Sequence, residues 1–374
     1  IWGHNLRKVL GANTEKVYAT INGKANDSQL CFSSGEMFRL IESYITDNFG
    51  EKGKFRFVIA PDDTPYACTC PSCTAIGNTE KNATPAVTEL ILRLSQRFPR
   101  HFFFTTSYLT TQQVTDKQLP PNAGVIVSAI NFPLRRIDGK DAKEKAFAGQ
   151  LEQWKNVTKN IYIWDYINNF DDYLTPMPIL KIARQRLQFF KQHGASGIFF
   201  NGSGYSYSSF DEMRTFVLSA LLINPELSVD NLTASFFNQE YPAAKKWLYD
   251  YYTDLENGTQ SGKRLGIYAS IRESEKAYLT PEKFIKFYDE MNDFVSNAKG
   301  KERKKLHELQ TALSYTRMEM GREHSFDAYG YAKRNGKSLQ PIPQVQEWLT
   351  QLKEHKAFTG MEYYNESSDE IGNY

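Results

Sequence analysis

Between Gln29 and about Leu222, short β-rich runs alternate with amphipathic helical stretches, and this alternation restricts the fold more than any other feature of the chain. Strands are expected over 29–33, 55–60, 102–107, 124–130, 160–165 and 197–201. Helices are expected over 36–48, 85–97, 143–157, 178–193 and 209–223. In 178–193, Ile179, Leu180, Ile182, Ala183, Leu187, Phe189 and Phe190 supply an apolar face with Lys, Arg and Gln opposite, the periodicity of a helix packed on one side. Such alternation calls for parallel strands joined by right-handed crossovers. The fold class it implies is α/β, a (β/α)8-type (TIM) barrel. Six strands are visible and the barrel needs eight. Lys16-Val-Tyr-Ala-Thr-Ile21 is a further strand or part of a long loop, and the first strand or two are expected upstream of Ile1. The rival, a doubly wound sheet, normally carries a Gly-rich phosphate turn after its first strand, and none occurs.

After Asn224-Pro225-Glu226 the pattern becomes helical, with segments near 229–238, 241–256, 281–298, 302–323 and 342–356 and no strand between them. The expected organisation is a barrel domain over 1–225 and a helical C-terminal region over 226–374 packed on it, ending in a frayed tail after about Asn365.

All four cysteines lie in the first fifth of the chain: Cys31, then Cys68-Thr-Cys70-Pro-Ser-Cys73. A C-x-C-x-x-C knot with one remote partner can give four thiolates to one tetrahedral ion, with zinc the expected metal. Two disulfides are the alternative for an even count, although a Cys68–Cys70 bridge would close a strained ring. Each half follows a strand-like run, so the cysteines are expected to tie loops at the same end of two neighbouring strands. Four thiolates leave zinc no open position, which makes it a staple and not a catalyst. No organic cofactor is expected.

Charge and hydropathy narrow the partners. With 45 Lys+Arg against 43 Asp+Glu the net charge is +2, and no basic stripe stands out, so nucleic acid is not an expected partner. No apolar run approaches the ~20 residues of a membrane span. The start at Ile1-Trp2-Gly3-His4, without an initiator methionine, suggests a trimmed chain. H-E-x-x-H, G-x-S-x-G and P-loop patterns do not occur, which argues against zinc-protease, α/β-hydrolase and nucleotide-phosphate chemistry. Aromatic content is 14%, and many Tyr sit beside Asn, Asp and Gly, as in sugar sites that use rings as apolar platforms.

In a barrel, residues just past the C-terminal ends of the strands share one opening. Those expected there are Asp62, Asp63 and Tyr66, then Tyr108, then Asn131 with Arg135 and Arg136. Further along come Trp164, Asp165, Tyr166 and Asn169, then Asn201 and Tyr205. Trp2 and His4 are expected on a lining loop. Carboxylates on separate strands, rimmed by amides and aromatics, suit glycosidic cleavage: one acid protonates the leaving oxygen while the other acts as nucleophile or base. Asp63 and Asp165 are the expected pair. An Arg135 or Arg136 turned inward would favour a uronic or sialic acid through bidentate pairing. His101 precedes a strand at its N-terminal end and is set aside.

Several segments carry a family resemblance. Ala60-Pro-Asp-Asp63 before the cysteine knot, Ile161-Tyr-Ile-Trp-Asp-Tyr-Ile-Asn-Asn-Phe170, Gly197-Ile-Phe-Phe-Asn-Gly202 and Leu218-Ser-Ala-Leu-Leu-Ile-Asn-Pro225 resemble the bacterial domain-of-unknown-function family numbered 4838. The resemblance runs from about residue 1 to 255. It implies a likeness to glycoside-hydrolase TIM barrels and to secreted proteins of polysaccharide utilisation, hence an extracellular, cell-surface or periplasmic location and a carbohydrate partner. Asp63 and Asp165 fall on acidic positions typical of the family. The cysteine spacing is similar to the four-thiolate zinc cluster of family-42 β-galactosidases. One departure is Phe200-Asn201, where relatives carry an acidic residue or Gln after the last strand. The function this implies is glycoside hydrolysis of a complex or acidic glycan, with a catalytically silent glycan-binding barrel as the alternative.

Overall fold

The computed structural model describes residues 4–204, 206–259 and 262–371. The chain divides into two compact units: Ile1–Phe132 with Gly139–Asp165 and Phe190–Phe199, and Pro133–Asp138 with Tyr166–Phe189 and Phe200–Tyr374.

The first unit opens with a short helix, α1 (Leu6–Leu10), and an antiparallel hairpin of β1 (Tyr18–Ile21) and β2 (Lys24–Leu30). Ile21 pairs with Lys24 around Asn22-Gly23, whose φ angles of 51° and 74° are the two positive values that a type I′ turn requires. This corrects the expectation of a barrel strand over 29–33: Gln29 and Leu30 end a hairpin strand. Ser34 caps α2 (Gly35–Phe49) by accepting from the Met37 amide, and Gly50 closes it at φ 63° by donating to Ile45 and Thr46.

Then follow β3 (Arg56–Val58), α3 (Pro71–Ala75), α4 (Thr84–Arg97), β4 (Phe102–Ser107), β5 (Ala123–Ser128), α5 (Ala142–Lys155), β6 (Ile161–Tyr166), α6 (Leu180–Gln192) and β7 (Gly197–Asn201). The five strands β3 to β7 form one sheet in their sequential order, with β3–β4, β4–β5 and β5–β6 parallel. That order belongs to a (β/α) barrel; a doubly wound sheet reverses direction at a switch point. Eight-strand closure is not seen among the described residues. The sheet is half of a barrel, because the N-terminal strands pair with each other and only helices and a separate hairpin follow β7.

One face of this sheet packs on helices: Phe57, Ile59, Phe103 and Ala123 share a core with Met37 and Ile41 of α2 and Leu90 and Leu94 of α4. The alternate residues point the other way. Val58, Ala60 and Phe104 are buried there, with Phe102, Ile126 and Tyr162 partly exposed against them.

The second unit holds α7 (Asp211–Ile223), α8 (Val229–Glu240), α9 (Lys245–Thr259), α10 (Ile271–Ala277), α11 (Pro281–Asn297), α12 (Gly300–His324), β8 (Ala332–Asn335), β9 (Ser338–Pro341) and α13 (Gln344–Thr359). The β8–β9 hairpin was not expected; Gly336, at φ 62°, opens its two-residue turn. Glu256 of α9 accepts from the amides of Leu180 (2.8 Å) and Lys181 (3.0 Å), satisfying the start of α6 from a distance. The tail, expected to fray, is tied down. The Tyr173 amide donates to the Tyr364 carbonyl and the Glu366 amide to the Phe170 carbonyl, and Ile371 is buried beside Phe170 and Tyr315.

Candidate functional site

The four cysteines converge. Cys31 follows β2, Cys68 and Cys70 lie on the loop after β3, and Cys73 is in α3. Their sulfur atoms all lie within 4.8 Å of one another and are unbridged thiols. Cys31 Sγ is 3.7 Å from Cys70 Sγ and 3.8 Å from Cys73 Sγ. A tetrahedral ion with sulfur at ~2.3 Å spaces its ligands ~3.8 Å apart, so the donor set fits a soft four-coordinate metal. Backbone amides support the sulfurs: Thr20 N–H donates to Cys68 Sγ at 3.2 Å and Cys73 N–H to Cys70 Sγ at 3.5 Å. Hydrogen bonds from Cys31 and Cys73 lower the Cys68 thiol, and the same contacts raise Cys73, so the four sulfurs share their protons as one group. These four residues could therefore hold a metal ion. One sequence expectation changes: the knot joins the hairpin to the loop after β3, two elements of different sheets, not neighbours in one barrel.

Beside the knot, at the C-terminal end of β3, a polar corner forms. Gln29, fully buried, accepts from the Asp62 amide (3.1 Å) and donates to the Asp62 and Tyr66 carbonyls, which fixes the loop. Arg7 Nε donates to Asp62 Oδ2 at 2.7 Å. His4 Nδ1 is 2.7 Å from the Pro61 carbonyl, and its ring meets Tyr108 edge-on at 6.0 Å. The structure thus brings His4 and Tyr108 together at the Pro61 carbonyl, next in the chain to Asp62. Asp63 and Tyr66 project from the same loop and are exposed, and Asn131 is exposed after β5.

The two expected catalytic carboxylates do not share a surface. Along β6, Ile161, Ile163 and Asp165 are buried while Tyr162, Trp164 and Tyr166 are partly exposed. Val125 pairs with Ile161 and Thr105 with Val125 in register, two residues past Phe103 on the helix-packed face. Asp165 therefore points to the helix-packed side, 1% exposed, away from Trp164. Asp63 is exposed beyond β3.

The face that carries Trp164 is aromatic. Tyr162 stacks on Phe104 at 4.9 Å, Arg56 lies over Phe102 at 5.3 Å, and Trp164 meets Phe199 at 4.8 Å. Phe199 is 50% exposed. Sequence reasoning missed Phe199 and Tyr162, though strict alternation in Ile161–Tyr166 carried the signal. It also missed Arg7, which no local pattern links to Asp62.

In the second unit, Asn169 spends its amide on the backbone: Nδ2 donates to the Ala269 carbonyl at 2.7 Å and Oδ1 accepts from the Ala269 amide at 3.0 Å. It is a strut for the segment Lys263–Ala269, which lines a cavity of ≈710 Å3 with Glu273, Ser274 and Tyr278. Tyr166 packs edge-on against Phe170 at 6.0 Å. The Asn201 carbonyl accepts from the Ile167 amide. Trp2 and Tyr205 lie outside the described residues.

No curated protein is matched by the chain. Among solved structures it is similar to a mutant O-GlcNAc hydrolase of Thermobaculum terrenum, at 15% identity and a TM-score of 0.40, over 87% of this chain and 71% of that one. The sequence itself matches the family described as Domain of unknown function (DUF4838) over residues 8–254, and the chain belongs to that family.

Proposed function

We propose that this chain is a carbohydrate-binding half-barrel of glycoside-hydrolase type, which takes a glycan along the aromatic face of its sheet. The observation that carries this reading is the Trp164–Phe199 pair beside the Tyr162–Phe104 stack, on the face opposite α2 and α4 and with Phe199 half exposed. A pyranose ring presents an apolar C–H face that stacks on such rings, while its edge hydroxyls need charged or amide partners. To Asp63, exposed beyond β3, and to its neighbour Asp62, paired with Arg7, we assign the hydroxyl contacts.

Hydrolysis by Asp63 and Asp165 needs both carboxyls at one sugar, a few ångströms apart. The burial of Asp165 on the helix-packed side favours the binding reading over the cleaving one. The metal proposed for the cysteine cluster is zinc, held by Cys31, Cys68, Cys70 and Cys73. With four thiolates it would clamp the loop carrying Asp62 and Asp63 to the hairpin, and take no part in chemistry. An extracellular, cell-surface or periplasmic setting in polysaccharide use belongs to the same proposal, and bound zinc would there protect the thiols from oxidation.

The test is a panel of plant, host and microbial polysaccharides, screened for retention and for released sugar with wild type, Asp63→Asn and Asp165→Asn. Retention of a glycan without product from any of the three supports recognition alone. Product from wild type that disappears in both variants would restore the carboxylate pair, and no retained glycan would end the carbohydrate reading.

A further inference from the structure

A cavity of ≈180 Å3 in the second unit is walled by aromatic rings and carries more acid than base. Phe210 is the N-cap of α7, Phe237 lies near the end of α8, and Tyr241 follows it. Phe237 is 6.4 Å from the Phe210 ring and 5.9 Å from the Tyr241 ring, centre to centre. Lys305 of α12 bridges two of the nearby acids, Glu212 and Glu240. Its ammonium lies 5.9 Å from the ring centre of Phe236 and 5.8 Å from that of Tyr241, so these walls already accommodate one ammonium, the chain's own.

Two further carboxylates of the lining lie outside the Lys305 bridge, Asp211 within the field of Arg214 and Glu308 within that of Lys304 and Lys305. Asp211 and Glu308 have no ion-pair partner among the described residues. Burial raises both above the usual carboxylate range, and the charge of Asp211 adds to the effect on Glu308. Tyr241 is 9% exposed and lines the cavity, and its hydroxyl has no hydrogen-bond partner among the described residues. A phenol and two half-buried carboxylates outside any ion pair, set among rings, form an environment that one further positive charge would complement.

We propose that this cavity is a binding site for a small organic cation, its ammonium group seated against Phe210, Phe237 and Tyr241 and neutralised by Asp211 and Glu308. A hard metal ion is the poorer fit, because calcium needs six to eight oxygens and most of this wall is carbon. The site shares no residue with the aromatic sheet face and does not depend on the carbohydrate reading.

The experiment is titration calorimetry at matched ionic strength with choline and its neutral isostere 3,3-dimethylbutan-1-ol, and with glucosamine and neutral glucose. The quaternary and primary amines distinguish two sources of the same charge. At least one of them binds saturably at up to about 10 mM while its neutral counterpart does not. Glu308→Gln, nearly isosteric, weakens that binding by about tenfold or more, the scale for losing one buried charged partner. Tyr241→Phe, which keeps the ring, serves as the second variant if Glu308→Gln does not fold, and also weakens it. Failure of both amines to bind, equal binding of a neutral counterpart, undiminished affinity in the folded variant, or displacement of the amine by Ca2+ would each overturn the proposal.

Discussion

The ring of Phe199 stands edge to face against Trp164, 4.8 Å between centres and 70° between planes, on the side of the sheet turned away from α2 and α4. Asp165 is the very next residue to Trp164, yet it is buried on the opposite side. A one-residue step along a strand separates a stacking platform from a carboxyl that cannot share it.

The cysteine cluster predicts stoichiometric metal. The purified protein should carry one zinc per chain by elemental mass spectrometry, with no disulfide in intact-mass analysis under non-reducing conditions. Cys70→Ser should lose the ion and lower Tm, since metal binding to four thiolates contributes directly to folding. A metal-free wild type with two bridges would contradict the prediction.

Gly23 supplies the second positive φ, 74°, of the hairpin turn. Gly23→Ala should destabilise the protein by about 1 kcal/mol in urea unfolding, because an L side chain there is strained. It should also weaken metal retention, since Thr20, in the hairpin, donates to Cys68. An unchanged midpoint would show that the turn is not type I′ in solution.

Two buried groups pull stability in opposite directions with pH. Burial lowers His355 to about 4, against 6.5 for the free side chain. Its contribution is complete above pH 6.5 and is lost as pH falls through 4, for a total of about 3 kcal/mol. Burial raises Asp172 to about 6 even though its Oδ1 accepts from the Leu174 and Thr175 amides. Its contribution is present below the unfolded value of 3.8 and is lost as pH rises through 6. Between pH 6.5 and 4, the Tm of His355→Gln should therefore fall less than that of wild type, and the Tm of Asp172→Asn should fall more. Parallel pH profiles for all three would contradict both assignments.

Glu256 caps α6 through two amides from a fully buried position. Glu256→Ala should cost about 2 kcal/mol, and Glu256→Gln less, because the amide oxygen can still accept. Equilibrium denaturation of the three proteins decides this, and an Ala variant as stable as wild type would refute it.

Much of this was legible in the sequence. The sheet strands appear where β-rich runs lie: 102–107 was expected and Phe102–Ser107 is found, and 197–201 coincides with Gly197–Asn201. The four thiols meet as their spacing implied. The sense of pairing was less accessible. Gln29 and Leu30 read as a barrel strand because local apolarity does not reveal a partner, although Asn22-Gly23 carried a hairpin signal. The direction of Asp165 was hidden for another reason. Both faces of β6 are apolar or aromatic, so alternation separates Asp165 from Trp164 but does not say which side the helices cover. The pairing of Arg7 with Asp62 joins residues 55 apart and leaves no local trace. The tail looked polar after Asn365, yet Ile371 anchors it.

The most direct measurement is the dissociation constant of a retained glycan for wild type and Phe199→Ala, with Tm confirming that the variant folds. Losing one stacking ring should weaken binding by about tenfold, on the order of 1–2 kcal/mol. An affinity unchanged by Phe199→Ala, in a variant as stable as wild type, would contradict the claim that the aromatic sheet face is where this protein meets carbohydrate.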